Sequence, residues 1–254
     1  MGLQALIFDV DGTLAETAEI HRSAFNQAFE EFNIGWHWDR QAYSYLMHMP
    51  NDAEMLRAHN AMSMTHHAQG RVDAEILQQI TRRKMQVYLA MLAGGAAYLR
   101  PGVGRLIDEA KREGIALAIA SCRSRLEFEM LVTNTLGFDA LSLFDAVRTA
   151  EDCEKPCKSP YGDILYDLGV KASQCVAIDD AESGIREAAI CGINTIATPG
   201  LYTSSGRFDA ACIVVSDLGR PSQPFNVIFG DADGKGYISA HYLHKLVGDS
   251  KVAA

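Results

Sequence analysis

Short, unbroken apolar runs that each stop at a polar or acidic residue restrict this chain to few folds. Leu6-Ile7-Phe8 runs into Asp9, Ile115-Ala116-Leu117-Ala118-Ile119-Ala120 into Ser121, and Cys175-Val176-Ala177-Ile178 into Asp179-Asp180. Such runs are too short for a buried helix and lack the alternation of a half-solvated strand. They predict strands buried on both faces. Helical patterns separate them: Pro101 opens one over 103–112 that stops at Gly114, and others cover 126–135, 161–168 up to Gly169, and 183–191 with Gly192 as the stop. Further strands are read near Ala146-Val147, at Thr195-Ile196-Ala197 and at Cys212-Ile213-Val214-Val215. The repeat of strand and helix predicts an α/β protein, a parallel sheet with helices on both faces.

The strand at Leu6 to Phe8 belongs to that sheet, yet the next strand is more than a hundred residues away. The intervening stretch reads as helices over 18–32, 39–47, 52–62 and 73–91, with Trp36, Trp38 and Tyr43 at its first turn. The expected division is a core of 1–15 with 96–254 and an inserted all-α cap of 16–95. Its hinges are read at Leu14 to Thr17 and Ala93-Gly94-Gly95-Ala96. A helical insertion after the first strand is expected to form a lid over the strand ends, where ligands of such sheets bind.

With 254 residues, 48% hydrophobic and 22% charged, the chain has ample material for a core. A net charge of −9 argues against nucleic acid and against an anionic membrane surface as partners. No apolar run reaches the roughly 20 residues of a membrane span. The first residues carry no signal-peptide pattern, and the expected location is the cytoplasm or a stroma-like soluble compartment. All six cysteines (122, 153, 157, 175, 191, 212) are read as reduced thiols rather than a zinc site, with Cys175, Cys191 and Cys212 as small core residues.

The acids at the strand ends carry the chemistry. Asp9 and Asp11 leave the first strand two residues apart, and a charge ending a buried strand demands a cation or hydrogen bonds. That demand points to Mg²⁺ and a phosphate. Asp9 is the candidate nucleophile, giving an aspartyl-phosphate. Asp11 is the candidate general acid, then the base that activates water. The metal would be held by Asp9, the main-chain carbonyl of Asp11 and Asp180, with Asp179 beside it. Ser121 and Lys155 would bind the phosphoryl oxygens. Taken singly, each has a plainer reading: a turn at Asp11-Gly12, a helix N-cap at Ser121, a solvated loop lysine at Lys155, a helix-capping turn at Asp179-Asp180. Four strand ends at once are harder to explain that way.

This set resembles the haloacid-dehalogenase superfamily of phosphohydrolases. The matching pieces are Phe8-Asp9-Val10-Asp11-Gly12-Thr13-Leu14, the strand ending at Ser121, Lys155-Pro156, and Ala177-Ile178-Asp179-Asp180-Ala181-Glu182-Ser183-Gly184. The resemblance implies a Rossmann-like core with a helical cap. Within it the chain is similar to the CbbY-type sugar-phosphate phosphatases through Leu14 to His21, Trp36 to Arg40, Arg83-Lys84 with Tyr88, and Leu99 to Val103. That likeness implies hydrolysis of xylulose 1,5-bisphosphate in a Calvin-cycle setting, by a single chain acting on a small phosphorylated sugar. Alternatives are a β-phosphoglucomutase-like mutase, which shares the frame, and a non-catalytic sugar-phosphate-binding protein. The chain departs from both relatives in the cap loop Met47-His48-Met49-Pro50-Asn51-Asp52-Ala53, which lacks their glycines and basic residue. Counting back from Leu168-Gly169-Val170 selects Lys155, with Lys158 as the fallback.

A carboxylate pair cannot tell sugars apart, so the cap is expected to supply specificity. The substrate-binding candidates are Glu16, His21, Tyr43, Lys84 and Cys122. A lone histidine is ordinarily a surface or satisfied residue; the resemblance makes His21 a cap contact and Lys84 the preferred substrate-phosphate contact. The methionines at 47, 49, 55, 62 and 64 are read as core filling. Residues 231–238 imitate the start of a calcium loop but place Lys235 and Tyr242 at ligand positions. That stretch is read as a turn into a strand and a final helix, with His241 and His244 on its surface.

Overall fold

The computed structural model describes residues 2–63, 72–152 and 159–248. They divide into two compact units, 1–16 with 97–254, and 17–96.

The first unit is built on a seven-stranded sheet. Its strands are β1 (Ala5–Phe8), β2 (Ala116–Ala120), β3 (Ala146–Arg148), β4 (Cys175–Asp179), β5 (Asn194–Ala197), β6 (Ile213–Val215) and β7 (Val227–Phe229), in the order β3-β2-β1-β4-β5-β6-β7. Its helices, numbered after four in the other unit, are α5 (Val103–Glu113), α6 (Arg125–Leu136), α7 (Pro160–Leu168), α8 (Glu182–Ile190) and α9 (Ala240–Gly248). β1 is central and pairs in parallel with both β2 and β4. Successive crossovers leave β1 in opposite directions, so the strand order reverses there, the place where doubly wound sheets bind ligands.

Small residues decide how closely helices approach one face. Ala5, Ile7, Ala118, Ala120, Cys175 and Ala177 alternate along the three central strands and meet Tyr161 and Ile164 of α7 and Ala188 of α8. The opposite register, Leu6, Phe8, Leu117, Ile119, Val176 and Ile178, is buried as completely. α5 and α9 pack on each other and against β2 and β4. Burial of each such large side chain is worth about 1.5–3 kcal/mol.

Three expectations need correction. The sheet is not wholly parallel: β7 adds an antiparallel edge to β6, with all three residues exposed. The strand expected from the 231–238 turn is this one, and it precedes the turn. After it the chain goes directly into α9, because Ile238 is buried and its N–H is taken by Leu218 O at 2.9 Å. Cys212 is exposed and Cys191 half-buried; Cys175 is the buried one. His244 lies at the surface as expected and is also a tie: its Nδ1 accepts from Leu3 N at 3.1 Å and its Nε2 lies 3.0 Å from Glu113.

The second unit is all helical: α1 (Ala18–Glu31), α2 (Arg40–Leu46), α3 (Asp52–Ser63) and α4 (Ala74–Ala93). α1 and α4 pack along each other. Trp38 is wholly buried among Phe25, Phe29, Tyr43 and His59, and its backbone is clamped by Asn26 and Arg22 of α1. Lys84 of α4 is also wholly buried; its ammonium donates to Asp52 at 2.6 Å and lies 2.8 Å from His21 Nδ1. His21 in turn stacks on Tyr88, ring centroids 3.8 Å apart. Removing one partner of such a pair strands the other in low dielectric. Lys84→Met is expected to destabilise the protein by roughly 3 kcal/mol, and adding Asp52→Leu to recover most of that. Urea unfolding of the single and double variants checks this; equal losses in both would contradict it.

Candidate active site

Strand register brings the acids together. Phe8 pairs with Ile178, so the next residues along, Asp9 and Asp179, leave the sheet side by side, and Asp9 N donates to Ile178 O at 2.9 Å. Phe8 also pairs with Ile119, which brings Ser121 to the same edge from β2. One carboxylate oxygen each from Asp9, Asp179 and Asp180 lies within 4.8 Å of the other two.

Each acid is held by its own partners. Asp179 accepts from Tyr161 OH and from Ala181 N, both at 2.8 Å. Asp180 accepts from Thr203 Oγ1 at 2.9 Å. Asp11 accepts from Arg123 Nε at 2.5 Å. Two glycines make the room. A Cβ on Gly12 would fall within the Asp180 carboxylate, and one on Gly184 within that of Asp179. The Gly12 carbonyl is itself bound by Arg100, a buried guanidinium that also donates to Thr198 O at 2.5 Å and Ser216 O at 2.6 Å.

Crowding sets the electrostatics. Desolvation, then the neighbouring acids, pushes Asp9 well above the usual carboxylate range. Burial pushes Asp179 up to about 6, and burial with Asp179 beside it pushes Asp180 up to about 8. Burial, then Asp179, also raises the Tyr161 phenol, which stays a donor. Among the described residues no basic side chain forms an ion pair with Asp9, Asp179 or Asp180. Three crowded carboxylate oxygens, with no ion pair to a basic side chain among the described residues, fit a hard divalent cation such as Mg²⁺.

In the folded state these acids keep protons that the unfolded chain releases near 3.8. Cation-free stability therefore falls as pH rises through about 6 and then about 8. The melting temperature of the cation-free protein is expected to decline from about pH 5 to about pH 9, and Mg²⁺ to raise it more at the upper end. An equal Mg²⁺ effect at both ends would contradict this.

Ser121 is buried and accepts from Arg123 N at 3.1 Å. It does not cap the following helix. Ser124 does, in a reciprocal box with Glu127. The phosphate-binding candidate Lys155 and its fallback Lys158 lie outside the described residues, as do Cys153, Cys157 and Met64.

The substrate-binding candidates separate. Glu16 is exposed in the first unit, its carboxylate 3.4 Å from Arg100 Nε, and lines a hollow of about 300 Å³ with Tyr98, Pro101 and Asp217. Cys122 is exposed next to Ser121; removal of solvent around its sulfur, with Asp9 and Asp11 nearby, pushes the thiol up to about 12. His21 and Lys84 bond each other in the helical unit, and Tyr43 packs under Trp38. Sequence reasoning missed Arg123, Arg100, Tyr161 and Thr203. Of these only Arg100 had a local signal, in the Leu99 to Val103 stretch.

The family model for haloacid dehalogenase-like hydrolases matches residues 6–198, and the chain belongs to that family. It is 37% identical over 224 residues to the plasmid CbbY protein of Cupriavidus necator, covering 87% of this chain and 88% of that one. Crystal structures of CbbY from Rhodobacter sphaeroides match its fold. The complex with phosphate gives a TM-score of 0.73 at 34% identity, covering 85% of this chain and 94% of that one. A mutant in complex with xylulose-(1,5)bisphosphate gives 0.74 at 32% identity, covering 87% and 98%. Among the described residues no helix is long and apolar enough to cross a membrane.

Proposed function

We propose that this chain is a Mg²⁺-dependent phosphatase of small sugar phosphates, with xylulose 1,5-bisphosphate as the preferred substrate, acting through an aspartyl-phosphate on Asp9. The observation that carries the reading is the register of β1 on β4, which supports a cluster of Asp9, Asp179 and Asp180 able to hold a cation. Similarity to CbbY, one member of which is crystallised with that bisphosphate, supports the sugar.

A carboxylate oxygen of Asp9 attacks phosphorus as the bond from phosphorus to the sugar oxygen breaks, and Asp11 gives that oxygen its proton. Asp11 then takes a proton from water as the water oxygen bonds to phosphorus and the bond to Asp9 breaks, releasing phosphate. The Ser121 hydroxyl donates to the phosphoryl oxygens, and Lys155 offsets charge between carboxylate and phosphate. Mg²⁺, held by Asp9, Asp180, the Asp11 carbonyl and Asp179, would offset the same charge when bound. Every residue named belongs to one chain, so a monomer suffices.

A phosphate-release screen over sugar mono- and bisphosphates tests the reading. Release from xylulose 1,5-bisphosphate about tenfold or more above the others is expected. A preference for hexose monophosphates would overturn the choice of sugar, and isomerisation of a hexose phosphate without release would favour a mutase.

A further inference from the structure

We infer that two hydroxyls, those of Tyr161 and Thr203, are positioning groups for the cation, each holding one acid of the cluster in a fixed pose while leaving it its negative charge. The inference rests on the Mg²⁺ of the phosphatase reading and adds the residues that set its affinity. Three observations carry it. Both oxygens of Asp179 are held, Oδ2 by Tyr161 OH and Oδ1 by Ala181 N, each at 2.8 Å. The tyrosine is itself locked: it stands at the start of α7, 2% exposed, and clusters with Ala118, Ala120 and Ala177 of the sheet. Asp180 is held through a relay. Gly200 N donates to Thr203 Oγ1 at 2.8 Å, which commits the hydroxyl hydrogen to Asp180 Oδ2 at 2.9 Å. Finally, the hydroxyl-bonded oxygen of each acid lies against a glycine, Gly184 for Asp179 and Gly12 for Asp180, closer than any Cβ would allow.

Crowded acids repel one another, so their carboxylates need fixed partners to stay together. A hydroxyl supplies such a partner without neutralising the acid. A guanidinium or ammonium in its place would offset the charge that draws a divalent cation. The hydrogen bonds of Tyr161 and Thr203 therefore complete, before the cation arrives, part of the ordering that its binding requires. Tyr161→Phe removes only the oxygen, and Thr203→Val replaces the hydroxyl by a methyl group of similar size.

The test is calorimetric titration of Mg²⁺ into the cation-free full chain, for the wild type, Tyr161→Phe, Thr203→Val, Thr203→Ser and Ile164→Val. Thermal unfolding and phosphate release are measured alongside. Ile164→Val trims the same buried face of α7 and is the structural control. Tyr161→Phe and Thr203→Val should each raise the Mg²⁺ Kd by about tenfold, and Thr203→Ser should stay within about twofold of the wild type. In phosphate release the loss should appear as a higher half-saturating Mg²⁺ concentration, with the KM for the sugar phosphate unchanged. Ile164→Val should lower the melting temperature and leave the Kd alone. An unchanged Kd in either hydroxyl variant would overturn that group's role, and an equal rise in Ile164→Val would overturn both roles; each leaves the phosphatase reading standing. A wild type that binds no Mg²⁺ would overturn the inference and the reading together. Binding that weakens as expected, in a protein that releases phosphate from no sugar phosphate, would uphold the hydroxyls and overturn the reading.

Discussion

Asp9→Asn is expected to lower phosphate release by roughly a thousandfold or more while leaving the protein folded. The backbone of Asp9 is fixed by its N–H bond to Ile178 O, which an asparagine keeps. The amide is nearly isosteric but neutral, and its oxygen is no nucleophile. It also relieves the repulsion that Asp179 and Asp180 exert on Asp9. The melting temperature of the cation-free variant near neutral pH should therefore equal or exceed that of the wild type. Phosphate release and thermal unfolding measured together check both halves. Mg²⁺-dependent turnover within about tenfold of wild type would sink the covalent mechanism.

Gly12→Ala is expected to damage the fold and the acid cluster together. Gly12 has φ +74°, and its missing Cβ is the space that the Asp180 carboxylate occupies. The left-handed backbone costs an alanine about 1–2 kcal/mol. Asp180 must also move, which takes one acid out of the cluster. Expected are a fall in activity of about a hundredfold or more and a melting temperature lower by about 3–8 °C. Gly114→Ala is the control. Gly114 has φ +70° at the end of α5 but open space where its Cβ would be. It should lose comparable stability and little activity; a matching activity loss would mean that strain alone explains Gly12→Ala.

Much of this architecture was readable because its signals are local. The apolar runs ending at Asp9, Ser121 and Asp179 became β1, β2 and β4, and the four helices read over 18–91 became α1 to α4. Features without a local period were not. β7 has three exposed residues and no alternation, so nothing distinguished it from the turn that follows. Arg123 reaches Asp11 across 112 positions, and His244 reaches Leu3 across 241. No pattern within a window announces such pairs. Ser124 was a different kind of omission: the spacing of Ser124 and Glu127 is the ordinary capping signature, and it assigns the helix start away from Ser121. Lys84 was singled out by the resemblance and not by any local period, and nothing in its neighbourhood in sequence announces that its ammonium is buried on Asp52 and His21.

The pairing of β1 with β4 also has a consequence for how the protein is made. Phe8 leaves the ribosome before Ile178 by about 170 residues, which at 5–20 residues per second is on the order of ten seconds or more. Throughout that interval an apolar segment, due to be buried on both sides, has one of its two neighbouring strands still unsynthesised. The helices of 17–96 fall within the interval and rely on near-neighbour contacts, so they can form while β1 waits. The nascent chain thus carries a sticky, unfinished strand next to a folded helical unit. It is at this stage, rather than as a finished protein, that the chain most needs a chaperone.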